Sequence, residues 1–114
     1  MSAITTHILD TSKGKPASGV YVRLEYFSDN KKWTELGHGE TDADGRLKNL
    51  LPDEREIAPG AYRLTFEVGA YFASQSLESF YEQVTVSFVI RDASEHYHVP
   101  LLLNPFGYST YRGS

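Results

Sequence analysis

Cysteine is absent from the 114-residue chain. That removes a disulfide framework, a thiolate nucleophile and any cysteine-held zinc or iron–sulfur centre. Basic residues are outnumbered as well: 11 Lys and Arg face 15 Asp and Glu, a formal net charge of −4. Sequence-independent nucleic-acid binding needs a basic patch to neutralise phosphates, so no nucleic-acid partner is expected. Long apolar runs are missing too. None approaches the roughly 20 residues that a bilayer-spanning helix requires, and no membrane partner is expected. The opening Met1-Ser2-Ala3-Ile4-Thr5-Thr6-His7 has no cationic stretch followed by an apolar one, so no secretory signal is read. These absences set the expectation of a soluble, cytoplasmic protein. The length implies one domain over residues 1–114. A compact chain of this size has a radius of gyration of roughly 13 Å, which leaves little room for a deep cleft of its own.

What is present is a period of two. In Val20-Tyr21-Val22-Arg23-Leu24-Glu25-Tyr26-Phe27 the apolar positions 20, 22, 24 and 26 alternate with charged 23 and 25. The runs Tyr62 to Val68 and Val84 to Arg91 repeat the pattern. Alternation of this kind marks half-buried strands with one face on a core. Less regular candidates are Ile4 to Leu9, Trp33 to Glu40, Leu47 to Leu51, His96 to Leu103 and Tyr108 to Arg112. Between them lie turn formers: Lys13-Gly14-Lys15-Pro16, Ser18-Gly19, Asp29-Asn30, Asp42-Ala43-Asp44-Gly45 and Pro59-Gly60. The spacing predicts an all-β, antiparallel β-sandwich of about seven or eight short strands. Only Ala70 to Phe80 has a helical pattern, one or two turns in a connection.

A sandwich says almost nothing about function, which must come from particular residues. His96-Tyr97-His98 places two imidazoles on one strand face, about 7 Å apart. Three readings stand for the pair: polar residues on a sheet face, acid–base groups near neutral pH, or half of a metal site. No second close pair completes a three-ligand set by spacing. His7, flanked by apolar residues, reads as a satisfied core histidine ahead of a catalyst. Asp42-x-Asp44-Gly45 opens like a calcium loop but has Arg46 at the next ligand position and Asp53 at the twelfth, so a turn is expected. Arg46 behind it reads as a solvated side chain. The segment from Pro105 to Ser114 stays strand-like and aromatic where termini ordinarily fray.

Taken together, these residues resemble the 5-hydroxyisourate hydrolases, the transthyretin-related enzymes of purine degradation. The resemblance rests on His7-Ile8-Leu9-Asp10 with Gly14-Lys15-Pro16-Ala17, Thr41-Asp42-Ala43-Asp44-Gly45-Arg46 and Pro59-Gly60-Ala61-Tyr62. It continues through His96-Tyr97-His98-Val99-Pro100-Leu101-Leu102-Leu103 to Tyr108-Ser109-Thr110-Tyr111-Arg112-Gly113-Ser114, covering essentially the whole length. The resemblance implies a transthyretin-like sandwich with one short helix. It also implies hydrolysis of 5-hydroxyisourate to 2-oxo-4-hydroxy-4-carboxy-5-ureidoimidazoline in urate degradation, without metal or organic cofactor. A homotetramer, built as a dimer of dimers with sites in the channel between them, is implied as well. Carried over residue by residue, it makes His7, Arg46, His98 and Ser114 catalytic, and His7, Arg46, Tyr111, Arg112, Gly113 and Ser114 substrate-binding. His96 is the least secure of the histidines.

The residue types suit that reaction. Opening a cyclic acyl–nitrogen bond needs an activated water, a stabiliser for the oxyanion and a proton for the leaving nitrogen. An imidazole can accept and return protons at neutral pH. The role of water activation falls to His98, with His7 as its partner, and the planar fork of Arg46 suits a flat, oxygen-rich ring. Tyr111 and the Ser114 hydroxyl can orient substrate or water. Two other classes compete: a non-catalytic carrier of an aromatic small molecule in the manner of transthyretin, and a structural sandwich of the surface-stalk type. A carrier has no use for a proton-transfer set, and stalk modules are usually exported and tandem.

Overall fold

In the computed structural model, which describes residues 2–52 and 55–114, nine strands form two sheets. The first contains β1 (Ile4–Asp10), β2 (Lys15–Pro16), β5 (Arg46–Leu47), β8 (Tyr97–Asn104) and β9 (Gly107–Thr110). Its order is β2-β1-β8-β9, and β5 pairs with β1 beside β2. The second, in the order β4-β3-β6-β7, contains β3 (Tyr21–Phe27), β4 (Trp33–Glu40), β6 (Gly60–Phe66) and β7 (Val84–Ile90). A helix, α1 (Val68–Ala73), connects β6 to β7.

The period of two does the sorting. On β1, Ile4, Thr6, Ile8 and Asp10 are fully buried, while His7 and Leu9 between them lie on the outer face. Val99, Leu101 and Leu103 of β8 join them on the inner side. Val22, Leu24, Tyr62, Leu64 and Phe66 of the other sheet complete the packing. Each fully buried Leu, Ile or Phe contributes about 1.5–3 kcal/mol relative to exposure, so the alternation itself fixes which face turns outward.

Three expectations are refined. All strand pairs are antiparallel except β1 with β8, which run parallel with Thr5 opposite His98 and His7 opposite Pro100. Alternation marks faces and is silent about direction, so this pairing was not legible locally. The strand expected over 47–51 is only Arg46–Leu47; Leu50 and Leu51 beyond it are buried from a loop, 2% exposed each. The helix begins at Val68, ahead of the expected Ala70, and stops at Ala73. Val68, Tyr71 and Phe72 are its buried side.

Two polar devices hold the first sheet in shape. The buried Asp10 carboxylate accepts the Ser12 N–H (3.0 Å), the Ser12 hydroxyl (2.5 Å) and the Tyr71 hydroxyl (2.8 Å). It thereby ties the end of β1 to α1, and burial with the neighbouring carboxylate pushes the Tyr71 phenol up to about 12. The second device is the Asp42–Gly45 turn, a turn as expected. Asp42 Oδ1 accepts the N–H groups of Asp44 (2.9 Å) and Arg46 (3.0 Å). Gly45 has φ +74°, and a Cβ there would lie 2.4 Å from the Ile8 carbonyl oxygen. Only glycine lets the turn press against β1. Asp53, the twelfth position of the rejected calcium loop, lies outside the described residues.

Candidate active site

The outer face of the first sheet gathers the chemistry. Because Thr5 and His7 share a face of β1, the parallel register sets Thr5 beside His98. The Asp42–Gly45 turn feeds directly into β5, whose register puts Arg46 opposite His7. The tail crosses back over the same face: the Gly113 N–H donates to the His98 carbonyl at 2.8 Å. A Cβ at Gly113 would sit 2.6 Å from His98 Cδ2 and 3.1 Å from Pro100 Cγ. The chain can lie on the imidazole ring only because that residue has no side chain.

These contacts enclose a hollow of about 170 Å³ lined by Thr5, Thr6, Arg46, Lys48, His96, His98 and Ser114. No Asp or Glu side chain is among them, so the hollow is rich in hydrogen-bond donors and favours an electron-rich, oxygen-bearing ligand. Inside it, Thr5 is 3% exposed and its hydroxyl lies 2.8 Å from His98 Nδ1 and 3.0 Å from His96 Nε2. His98 is half-buried. Burial, then the charges of His7, Arg46 and His96, hold its pKa below the usual imidazole value of 6.5. A neutral imidazole at neutral pH is the form that can take a proton from water.

The structure brings His98, Arg46, Ser114 and His96 to one hollow, with His7 on the adjoining strand position. It does not bring Tyr111 and Arg112 there. Both line a larger cleft of about 370 Å³ between β7 and the β8–tail edge, which His98 also borders. The Arg112 guanidinium sits 4.5 Å from the Tyr97 ring centre and donates to Glu95 at 3.0 Å. Sequence reasoning missed Thr5 and Lys48. Each lies two residues from an identified residue on a strand, Thr5 from His7 and Lys48 from Arg46, and that spacing was the signal that could have found them. Among the described residues, no group of three or more His, Cys, Asp or Glu side chains is arranged to hold a metal ion. No helix in them is long and apolar enough to cross a membrane.

Comparison with known proteins places the chain. It is 54% identical over 111 residues to the 5-hydroxyisourate hydrolase of Salmonella dublin, covering 97% of this chain and 80% of that protein. It is 44% identical to the Mus musculus 5-hydroxyisourate hydrolase, covering 99% and 96%. Among solved structures, the Klebsiella pneumoniae 5-hydroxyisourate hydrolase superposes with a TM-score of 0.84 at 40% identity, covering 97% of this chain and 98% of that one. Transthyretin from Sparus aurata superposes with a TM-score of 0.91 at 32% identity, covering 99% and 97%. Backbone shape alone therefore does not separate the hydrolases from transthyretin. The family model described as HIUase/Transthyretin matches residues 4–113. With the sandwich, the histidine-bearing outer face and the relatives all in agreement, the chain belongs to the HIUase/Transthyretin family.

Proposed function

We infer that the protein is an enzyme that hydrolyses 5-hydroxyisourate in urate degradation, acting through one hydrolase domain over residues 1–114. The observation that carries this reading is a donor-rich hollow holding His98, Arg46 and Ser114 in a chain 54% identical to a protein named for that activity. Water bound at His98 loses a proton to the imidazole and attacks the ring carbonyl. Arg46 stabilises the oxygen that becomes negative, and the imidazole returns that proton to the leaving nitrogen as the C–N bond breaks. His7, beside Arg46, positions the guanidinium or shares the proton. Ser114 orients water or substrate, and Gly113 admits the tail to the site. Tyr111 and Arg112 reach the substrate only if the two hollows are joined in an assembly, which is part of this proposal.

A homotetramer built as a dimer of dimers supplies that assembly. Its support is that β7 and β9 each stand at one end of a sheet with an edge that has no strand partner among the described residues. Open edges are templates for pairing with a second copy. The molecule measures 40 × 27 × 20 Å, so a face shared between copies offers enclosure that one thin sandwich lacks. Cytoplasmic residence completes the reading and is checked by cell fractionation. The decisive experiment follows the ultraviolet decay of freshly generated 5-hydroxyisourate with and without protein, on material whose mass is measured by light scattering. Accelerated decay by a tetramer is expected. Unchanged decay with retention of an aromatic ligand overturns the reading in favour of a carrier.

A further inference from the structure

One side chain in the hollow has a geometry that the hydrolytic scheme above leaves unused. Thr5 Oγ1 contacts two imidazoles at once, Nδ1 of His98 at 2.8 Å and Nε2 of His96 at 3.0 Å. A hydroxyl has one proton to donate and lone pairs to accept with. At most one of the contacts is therefore O–H···N, and the other is N–H···O. In one arrangement Thr5 donates to His96 and accepts from His98 Nδ1–H, which leaves the lone pair on His98 Nε2. In the reverse arrangement His98 Nε2 carries the proton and cannot act as a base. We propose that Thr5 is a positioning residue that holds His98 in its Nδ1–H tautomer and relays a proton between His98 and His96 during hydrolysis.

The relay balances. Water gives its proton to His98 Nε2 as its oxygen bonds to the carbonyl carbon. The Nδ1 proton of His98 passes to Thr5 Oγ1 while the Thr5 proton passes to His96 Nε2. Positive charge has then moved from His98 to His96, and His98 is neutral with its proton on Nε2. When the C–N bond breaks, that proton goes to the leaving nitrogen. The chain runs backwards at the same time, from His96 through Thr5 to His98 Nδ1, restoring the starting state.

The surroundings favour the direction of the first transfer. His98 is half-buried, and the groups that face it are Arg46, His7 and His96, with Lys48 on the same hollow. Arg46 and Lys48 are cationic, and no Asp or Glu side chain lines the hollow to balance an imidazolium. His96 is exposed, so water can stabilise the charge there. The hydroxyl that connects them is 3% exposed, which keeps bulk water from short-circuiting the path. This also gives His96 a task, in a histidine pair that sequence alone left open.

The proposal rests on the hydrolase reading, and its test separates the two. Thr5→Val keeps the shape and removes the hydroxyl; Thr5→Ser keeps the hydroxyl. Valine is expected to lower kcat about tenfold or more with KM nearly unchanged, less than the roughly hundredfold or more that a direct acid–base group contributes, because Thr5 acts through His98. It should also move the acid limb of the pH–rate profile. Serine should restore most of the rate and the profile. Independently of turnover, nitrogen-15 NMR of the histidine-labelled wild-type protein should report the Nδ1–H tautomer for His98, and a loss of that bias in the valine variant. A wild-type His98 in the Nε2–H form overturns the proposal, as does a valine variant with unchanged kcat and pH profile. A serine variant that folds without rescue does so too. If the wild-type protein hydrolyses no 5-hydroxyisourate, the functional reading fails, while the tautomer measurement still decides whether Thr5 sets the state of His98.

Discussion

The two sheets present polar outer faces made by the same alternation, and the faces differ in how their charges are answered. On the second sheet, Arg63 and Glu25 stand opposite each other in the β3–β6 register, with Arg63 Nε donating to Glu25 at 2.8 Å. Arg23 lies 3.6 Å from the same carboxylate, and the Arg63 guanidinium stacks 4.2 Å from the Trp33 ring centre. His38 sits 2.9 Å from Glu35 and stacks on Tyr21. Every cation there has a partner. On the first sheet, among the described residues, Arg46 has no carboxylate within ion-pair distance, and His98 faces Arg46, two further imidazoles and a hydroxyl. A face whose charges are paired is spent on holding the sheet together. A face with unpaired donors is available to a ligand, and that contrast distinguishes scaffold from site on one small molecule.

The largest test of this contrast removes the unpaired groups. His98→Ala or Arg46→Ala is expected to lower the hydrolytic rate about a hundredfold or more, with the assembly intact by light scattering. Equal loss from Arg63→Ala would erase the distinction. Next in size is Gly113→Ala. The added methyl would meet the His98 ring, so the tail must move, and about a tenfold drop in kcat/KM is expected with a Tm close to that of the wild type. The second face should answer the opposite way. Glu25→Ala is expected to leave kcat unchanged and to cost about 1 kcal/mol in urea unfolding, the upper end for a partly exposed pair within a network.

The smallest effect is in pH. The His98 pKa lies below 6.5 in the folded state, so its contribution to stability is complete above that pH and is lost as pH falls below it. Glu25, held below the usual 4.5 chiefly by its hydrogen bond from Arg63, has the same sign of dependence at lower pH. Between pH 6.5 and 4.5, the wild-type and Glu25→Gln proteins should lose Tm in parallel as acid is added, and His98→Gln should lose less. Thermal unfolding across that interval checks it. The same depressed value places the acid limb of kcat/KM below pH 6.5.

Much of this was legible in the residues themselves. Alternation at 20–27, 62–68 and 84–91 identified three of the second sheet's strands, and the histidine and tail motifs pointed to His96, His98 and Ser114, which share the candidate hollow. What was not legible depended on partners distant in the chain. Arg46, read locally as a solvated side chain, acquires its meaning from the register that sets it opposite His7. Thr5 looks like an ordinary strand threonine until residue 98 is laid beside it. Leu50 and Leu51 have the composition of a strand, yet they are buried as a loop because β5 has only two residues to pair with β1. Local pattern reports which face a residue takes, and only the folded sheet reports what shares that face.

The parallel ladder between β1 and β8 has a consequence for the order of events as the chain is made. Thr5 and His98 are separated by 93 positions. During synthesis β1 emerges before β8 and waits, with the edge that β8 will take unpartnered, while all four strands of the second sheet, β3, β4, β6 and β7, are produced and can pair with one another. Contacts so far apart in sequence form late and slowly. The face that carries the candidate site is thus the last surface to be completed, after the other sheet has its strands.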